Sequence, residues 1–309
     1  MRLAAVDVGT NSTRLLVADV DGDRILDQLD REMVITRLGR GVDRTRRFEP
    51  ASLRRTLEVL GDYAERCRRL GVEATRVVAT SATRDATNRE EFLGGVRERF
   101  GVDAEVLSGD QEAATSYLGA IHDLEGEERT LVIDIGGGST EFIIGNHDPE
   151  AMLSIDIGCV RLFERHLASD PPAPGEVAAV RADVREHLGK VFGVLDPSTA
   201  RMVIGVAGTV TTITALTLGL ELYDPQRIHH AAISAAGIHD TAERLVAMTI
   251  AERAALPVMA KGREDVIAAG GLVMDEICAT FGFDRMIASE SDILDGVLLG
   301  LSRRIAGPS

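Results

Sequence analysis

Residues 131–145, LVIDIGGGSTEFIIG, join two apolar runs through three glycines (136–138), with Asp134 before the glycines and Glu141 after them. Glycines weaken a strand and contribute no side-chain packing, so a tight turn alone explains them poorly. Glycine is also the residue that allows a ligand to approach the main chain closely. The stretch therefore predicts a strand–turn–strand hairpin with a ligand lying directly against its backbone.

The same pattern occurs near the N-terminus. The segment AVDVGTNSTRLLVA (5–18) aligns with VIDIGGGSTEFIIG (132–145) at a constant offset of 127 residues. The matching pairs are Asp7 and Asp134, Gly9 and Gly136, Ser12 and Ser139, and Thr13 and Thr140. One hairpin turn near Asp-Gly is common, but two copies in one chain indicate two similar halves.

The order of predicted elements is also alike in the two halves. Three strands open each half, near 2–8, 13–20 and 25–36 and near 131–135, 140–145 and 151–156. Further strands are predicted at 76–80 and 201–207, with helices near 50–70, 88–99, 109–121, 158–167, 174–192, 208–218, 237–247 and 263–281. This pattern predicts the α/β class, with mixed sheets covered on both faces.

The domain boundary is predicted in the polar stretch HDLEGEER (122–129). We therefore expect domains at 1–124 and 125–290, and a C-terminal helix over 291–306 that can pack back on the first domain.

Composition excludes several classes of protein. No run of 18 apolar residues occurs, so no membrane span is expected, and the first residues lack a signal-peptide apolar region. The cysteines Cys67, Cys159 and Cys278 are far apart, which is typical of reduced core thiols in a cytoplasmic protein. The net charge of −15 argues against binding to duplex nucleic acid. A protein of this size and location is often a homodimer.

The charge is unevenly distributed. Residues 1–100 hold 19 basic and 17 acidic side chains, whereas residues 101–309 hold 15 and 32. The segment RLGRGVDRTRRF (37–48) is locally basic. It can contact an anionic substrate or form a solvated loop, and the sequence does not separate these alternatives.

The paired turns favour one kind of ligand. Successive amide groups in a glycine-rich turn form an anion nest, and Mg²⁺ binds through one or two carboxylates together with substrate phosphate. Phosphate with Mg²⁺ is therefore the simplest ligand for the two turns and the acids beside them.

Seven motifs carry a resemblance that covers nearly the whole chain. They are DVGTNSTRL (7–15), TSATRDATN (80–88), LSGDQEA (107–113), DIGGGSTE (134–141), IGCVRL (157–162), GVAGTVTT (205–212) and REDVIAAG (263–270). In this order they resemble the exopolyphosphatase/guanosine pentaphosphate phosphohydrolase family, within the actin-like superfamily. The resemblance implies two actin-like ATPase (ribonuclease H-like) domains with a cleft between them. It also implies a short two-domain form that prefers short polyphosphate chains.

The resemblance also implies an activity and residue roles. The activity is Mg²⁺-dependent hydrolysis of the terminal phosphate of polyphosphate, or of guanosine pentaphosphate, by direct water attack. Glu112 is the implied general base, Glu141 holds the attacking water or the metal, and Arg84 clamps a phosphate oxygen. Asp7 and Asp134 hold or orient Mg²⁺. The implied phosphate-binding residues are Gly9, Asn11, Ser12, Gly136, Gly137, Gly138, Ser139, Gly208 and Thr209.

Plainer explanations exist for three of these positions. Ser108 and Gln111 form a capping-box pattern, so Glu112 could simply favour the helix dipole of the first turn. Arg84 could be a solvated loop residue before Asn88, a typical N-cap. The segment GVAGTVTT (205–212) could serve only close helix–strand packing.

Two other functions remain open from the sequence. A sugar or acetate-type kinase would need an adenosine pocket and an acceptor site, and no motif demands either. A non-catalytic protein that senses nucleotides or alarmones would not need Glu112, Glu141, Asp7 and Asp134. Among phosphohydrolase substrates, the sequence does not rank polyphosphate, guanosine pentaphosphate and nucleoside triphosphates.

Overall fold

The computed structural model describes residues 1–124 and 128–307. The chain divides into two units: Met1–Leu124 with Ser291–Ser309, and Glu125–Glu290. The predicted boundary between residues 124 and 125 adjoins residues 125–127, which lie outside the described residues. Within the described ranges, no helix is both long and apolar enough to cross a membrane.

The first unit is built on a five-stranded sheet with the order β3-β2-β1-β4-β5. The strands β1, β2 and β3 are antiparallel neighbours, and β4 and β5 extend the sheet in parallel with β1. Its elements up to the boundary are β1 (Arg2–Val8), β2 (Ser12–Asp21), β3 (Arg24–Ile35), α1 (Val42–Thr45), α2 (Pro50–Leu70), β4 (Ala74–Ala79), α3 (Ser81–Asp85), α4 (Arg89–Phe100), β5 (Glu105–Val106) and α5 (Gly109–Ile121).

The second unit is built on a six-stranded sheet with the order β10-β11-β9-β6-β7-β8. Its elements are β6 (Thr130–Ile135), β7 (Thr140–Gly145), β8 (Pro149–Ile155), α6 (Cys159–His166), α7 (Pro174–Val191), β9 (Met202–Val206), α8 (Ala207–Thr217), α9 (Pro225–Ile228), β10 (Ala232–Ser234), α10 (Ala235–Ala247), α11 (Ile250–Ala254), α12 (Ile267–Phe281) and β11 (Arg285–Ala288). The final helix of the chain, α13 (Ile293–Ala306), belongs to the first unit.

The two sheets share one topology. In each, three antiparallel strands are followed by two parallel strands on the other side of the first strand, and β10 adds an antiparallel edge in the second unit. The predicted α/β class and the repeat are therefore confirmed. The short strands β5, β10 and β11 were not predicted, and the helix predicted from residue 263 begins at Ile267.

Side chains of β1 alternate between two cores in the first unit. Ala4, Val6 and Val8 pack with residues of α2 and α4, whereas Leu3 and Ala5 pack with residues of α13. This period of two is what a strand covered on both faces requires. Asp7 continues the series on the α13 side, so the alternation places its carboxylate on that face.

Helices α5 and α13 approach each other closely at two glycines. A Cβ on Gly296 would lie 1.9 Å from the Thr115 carbonyl oxygen, and a Cβ on Gly119 would lie 1.7 Å from the Asp292 carbonyl oxygen. Backbone therefore packs on backbone where the C-terminal helix crosses α5. The contact fixes Asp292, the N-cap of α13, against the first unit.

Replacing Gly296 with alanine is expected to destabilise the protein by about 3 kcal/mol, near the upper end of overpacking costs, because the obstructing atom is main chain. Gly94→Ala in α4 is the matched control, since no atom lies within 4 Å of its added Cβ. That control should gain about 0.5–1 kcal/mol through helix propensity. Urea unfolding of both variants tests the crossing, and equal midpoints would contradict it.

Candidate active site

The two glycine turns have the same hydrogen-bonded geometry. The Gly9 amide donates to the Ser12 carbonyl at 2.9 Å, and the Gly136 amide donates to the Ser139 carbonyl at 3.1 Å. These positions are related by the offset that aligns the two sequence copies. The predicted hairpins are therefore confirmed as equivalent turns, each between the first two strands of its sheet.

The middle of each turn presents main-chain amides. Within the part of the chain that the structure describes, no hydrogen-bond acceptor is found for the amide N–H groups of Thr10, Asn11, Gly137 and Gly138. Neighbouring amide donors in a turn form a concave site for an anion. Each turn can thus receive a phosphate oxygen through its backbone.

Helix α6 holds the second turn from behind. Its first amide groups donate to the carbonyl oxygens of Gly136 and Gly137, and the buried Arg161 side chain donates to the Gly138 carbonyl at 2.7 Å. A Cβ on Gly158 would lie 2.5 Å from the main chain of Gly137, so glycine is needed there. Helix α6 thus binds the carbonyl side of the turn, and the amide groups of the turn are the side that remains available for a ligand.

Asp7 is the residue before the end of β1 and lies opposite Arg14 in the hairpin register. Its Oδ2 accepts hydrogen bonds from Arg14 Nε at 3.1 Å and from Nη2 at 3.0 Å. Burial raises the pKa of Asp7, and the charge of Arg14 opposes that rise. Among the described residues, Asp7 Oδ1 has no hydrogen-bond partner. Asp7 therefore pairs with an arginine that it shares with Asp292, and it keeps one buried oxygen for a further ligand.

The second unit places an acid where the first has Arg14. Asp134 and Glu141 are directly opposed across β6 and β7, and they are only 6% and 1% exposed. Opposed residues point to the same face, with Cβ atoms about 5 Å apart. Glu141 also accepts a hydrogen bond from Ser154 Oγ at 2.7 Å. Two buried carboxylates this close require a shared proton or a cation, so this pair fits Mg²⁺.

Arg84 and Glu112 are brought together at one edge of the first sheet. The parallel strands β1, β4 and β5 all end there, and ligands of open α/β sheets bind at this edge. Arg84 Nη1 donates to Glu112 Oε2 at 2.5 Å and to the Leu107 carbonyl at 2.8 Å. Glu112 is 8% exposed. The arginine and the carboxylate that the sequence assigns to catalysis are thus each other's partners in this structure.

The start of α5 orients Glu112. Ser108 Oγ accepts from the Gln111 amide, and the Gln111 side chain accepts from the Ser108 amide, which confirms the predicted capping box. These bonds fix the first helical turn independently of Glu112. Its carboxylate is therefore not needed as a cap.

The third turn joins β9 to α8 and ends beside β6, which is parallel to β9. Ala207 has a φ of 71°, an unusual conformation for a residue with a side chain. Arg263 Nη1 donates to the Gly208 carbonyl at 2.9 Å and to Thr212 Oγ1 at 2.6 Å. A Cβ on Gly208 would lie 2.2 Å from Arg263 Nη2. Arg263 thus holds the turn that opens α8, and packing explains the glycine.

The chain is similar to known proteins in both sequence and structure. The Ppx/GppA phosphatase family matches residues 16–304. The chain belongs to the Ppx/GppA phosphatase family. It is 43% identical to exopolyphosphatase 2 of Mycobacterium tuberculosis over 97% of this chain and 98% of that protein. It is 39% identical to a guanosine-5'-triphosphate,3'-diphosphate pyrophosphatase of Vibrio atlanticus over 53% of this chain and 33% of that protein. A crystal structure of an exopolyphosphatase-like protein superposes with a TM-score of 0.95 at 36% identity, covering 99% of this chain and 100% of that one.

Within this Ppx/GppA protein, the residues predicted from sequence collect at one edge of each sheet. The first unit carries Asp7, Gly9, Asn11, Ser12, Arg84 and Glu112, and the second carries Asp134, Gly136, Gly137, Gly138, Ser139, Glu141, Gly208 and Thr209.

Sequence reasoning missed three arginines: Arg14, Arg161 and Arg263. The repeat contained a signal for Arg14, because the offset that pairs Asp7 with Asp134 also pairs Arg14 with Glu141. The partners of Arg161 and Arg263 include main-chain carbonyls, which a sequence pattern does not reveal.

Proposed function

We propose that this Ppx/GppA hydrolase is an exopolyphosphatase that removes the terminal phosphate of short inorganic polyphosphate chains. The observation that carries the proposal is the pair of equivalent glycine turns with unpaired amide groups beside buried acids. A turn that binds an anion through its backbone suits a substrate made of phosphates. The relative from Mycobacterium tuberculosis, which bears the name exopolyphosphatase 2, supports the same substrate.

The proposed reaction is one in-line displacement. A water oxygen forms a bond to the terminal phosphorus while the bridging P–O bond breaks, and the shortened chain leaves with the bridging oxygen. Glu112 accepts the proton that the water loses. The amide groups of a glycine turn stabilise the negative charge on the phosphoryl oxygens. No covalent intermediate is needed.

The Arg84–Glu112 pair gives this reaction a first step. While Arg84 donates to Glu112, the carboxylate is stabilised in its ionised form and is a poor base. A bound phosphate offers Arg84 oxygens of higher charge in a geometry that guanidinium groups match well. Arg84 then exchanges Glu112 for phosphate, and the freed carboxylate can take the proton of the water.

Mg²⁺ is the cofactor in this proposal. Asp134 and Glu141 are the residues that would hold it, because two buried opposed carboxylates require a positive charge. When bound, Mg²⁺ neutralises charge on the transferring phosphoryl group. In the first unit, Asp7 presents its own buried Oδ1 as an acceptor for a metal ion or a water.

Two alternatives have observations of their own. Hydrolysis of guanosine pentaphosphate is favoured by the Vibrio atlanticus relative and uses the same turns. Loss of catalysis, with alarmone sensing retained, would agree with the closed Arg84–Glu112 pair.

The buried cysteines Cys67, Cys159 and Cys278 are unbridged, which agrees with a cytoplasmic location for either function.

Phosphate release tests the proposal. Purified protein with Mg²⁺ should release phosphate from tripolyphosphate and longer polyphosphate with a higher kcat/KM than from guanosine pentaphosphate or ATP at equal concentration. A higher value for guanosine pentaphosphate would support the first alternative. Absence of release from every substrate, with binding retained, would support sensing.

A further inference from the structure

Residues 37–48 form an arginine segment beside the first glycine turn. The segment contains Arg37, Arg40, Arg44, Arg46 and Arg47 against a single acid, Asp43. Neither the turns nor the Arg84–Glu112 pair uses these side chains. The chain carries a net charge of −15, so this concentration of positive charge is opposite to that of the protein as a whole.

The main chain fixes the segment against the turn. The amides of Thr36 and Arg37 donate to the Asn11 carbonyl at 3.0 and 2.8 Å, and the Gly39 amide donates to the Thr10 carbonyl at 2.8 Å. A Cβ on Gly39 would lie 2.3 Å from Thr10 Cγ2. The segment therefore borders the same turn whose amides are open to an anion.

The far end of the segment is tied to the part of the chain that carries Arg84. The Thr87 amide donates to the Arg46 carbonyl at 2.8 Å, and Asn88 Oδ1 accepts from the Phe48 amide at 2.8 Å. Phe48 is buried and anchors the end. The segment is thus a fixed rim between the first turn and the Arg84 region.

Several of its guanidinium groups are available. Arg40, Arg44, Arg46 and Arg47 are exposed, and Arg46 pairs with Asp85 at 2.8 Å. Across the described ranges, Arg44 and Arg47 have no ion-pair or hydrogen-bond partner for their side chains. Arg40 lies 3.9 Å from Glu49, a weak surface contact. The rim therefore presents positive charge to solvent next to the turn.

We propose that the arginine segment binds the phosphates of a polyphosphate chain that follow the terminal ones. This inference rests on the proposed function and names the surface that sets chain-length preference. Arginine matches phosphate oxygens in two-point geometry and remains charged at all relevant pH values. A chain seated on the turn would leave its next phosphates at the rim.

The composition of the rim favours a polyphosphate tail over a nucleotide. A guanine base can stack on an exposed aromatic side chain or on an arginine guanidinium plane. The single aromatic residue of the segment, Phe48, is 3% exposed and packs edge-to-face on Phe92. Several positive charges without an exposed aromatic ring fit a chain of phosphates.

The test compares two charge-reversed double variants. The first is Arg44→Glu with Arg47→Glu. The control is Arg68→Glu with Arg69→Glu, which changes two exposed arginines at the end of α2. Because α2 begins just after the segment and has 21 residues, these arginines lie about 30 Å along the helix from it. Affinities for tripolyphosphate and for a chain of several tens of phosphates are measured by calorimetry, and kcat/KM is measured for both.

The ratio of long-chain to tripolyphosphate affinity should fall about tenfold in the first variant, the combined worth of two exposed charge contacts. The control should keep the wild-type ratio. The ratio of long-chain to tripolyphosphate kcat/KM should change in the same way as the ratio of affinities. In the wild type, the long-chain to tripolyphosphate affinity ratio should fall as salt is added, because salt screens the exposed charges. An unchanged ratio, or an equal fall in the control, would overturn the role of the segment while the proposed function stands. Failure of the wild-type protein to bind either chain would overturn both.

Discussion

Glu112→Gln is expected to lower kcat by roughly 10²–10⁴-fold, the usual contribution of a general base. The substitution keeps the shape of the side chain and removes its basicity. KM should change little, because the proposed phosphate contacts come from the turns and Arg84. Steady-state phosphate release from tripolyphosphate measures both quantities.

Asp110→Asn is the matched control for this variant. Asp110 is an exposed acid in the same first turn of α5, so it has the same favourable relation to the helix dipole. If Glu112 served only the dipole, both variants should lose about 0.3–1 kcal/mol of stability and keep their turnover. If Glu112 is the base, only Glu112→Gln should lose turnover.

The partner of Glu112 adds a second readout. Glu112→Gln removes the ion pair with Arg84, so Arg84 no longer has to leave a carboxylate before it binds phosphate. We therefore expect the inactive variant to bind tripolyphosphate at least as tightly as the wild type. Calorimetry measures this affinity directly. Clearly weaker binding would contradict the exchange of partners, even if turnover were lost.

The hairpins, their shared topology and the capping box of α5 follow from local sequence, and all of them could be predicted. Strand period and turn residues act over short distances, so one sequence window contains the relevant signal. The repeat added the equivalence of Asp7 and Asp134 at positions far apart in the chain. Fold class and the residues that line each turn were therefore accessible without coordinates.

Side-chain contacts between residues far apart in the chain could not be predicted as well. Asn88 was predicted to cap α4, but its Oδ1 accepts a hydrogen bond from the Phe48 amide instead, and no side-chain cap is formed. Asn88 does occupy the predicted N-cap position, and only the capping hydrogen bond is absent, because a distant amide takes the same oxygen. The sequence predicts Arg84 as an anion clamp, but it does not predict the contact with Glu112, which arises only when α3 and α5 meet at the sheet edge.

The equivalent acids of the two hairpins lie opposite residues of different charge. Asp7 and Asp134 occupy the same place in the repeat, but Asp7 faces Arg14 and Asp134 faces Glu141. The opposed residue thus carries a positive charge in the first unit and a negative charge in the second. Equivalent positions in the two units are therefore expected to differ in their need for metal.

Asp134→Asn is expected to lower kcat at limiting Mg²⁺ by roughly 10²–10³-fold, a typical loss for one group that stabilises transition-state charge. The Mg²⁺ concentration for half-maximal rate should rise, because one of two opposed carboxylates is gone. The same change relieves the repulsion between Asp134 and Glu141, so the metal-free variant should be at least as stable as the wild type. Activity titrated with Mg²⁺ and thermal unfolding in a chelator measure the two effects.

Asp7→Asn provides the decisive contrast. This change removes one of the two carboxylates, Asp7 and Asp292, that pair with Arg14. Because Asp292 stays, the loss should be smaller than the about 3–5 kcal/mol that breaking a whole buried pair costs. Asp7→Asn should therefore unfold at a lower temperature in chelator, whereas its half-maximal Mg²⁺ concentration should move much less than that of Asp134→Asn. A reversed pattern, with Asp7→Asn stable but unable to use Mg²⁺, would assign the metal to Asp7 Oδ1 and remove it from the Asp134–Glu141 pair.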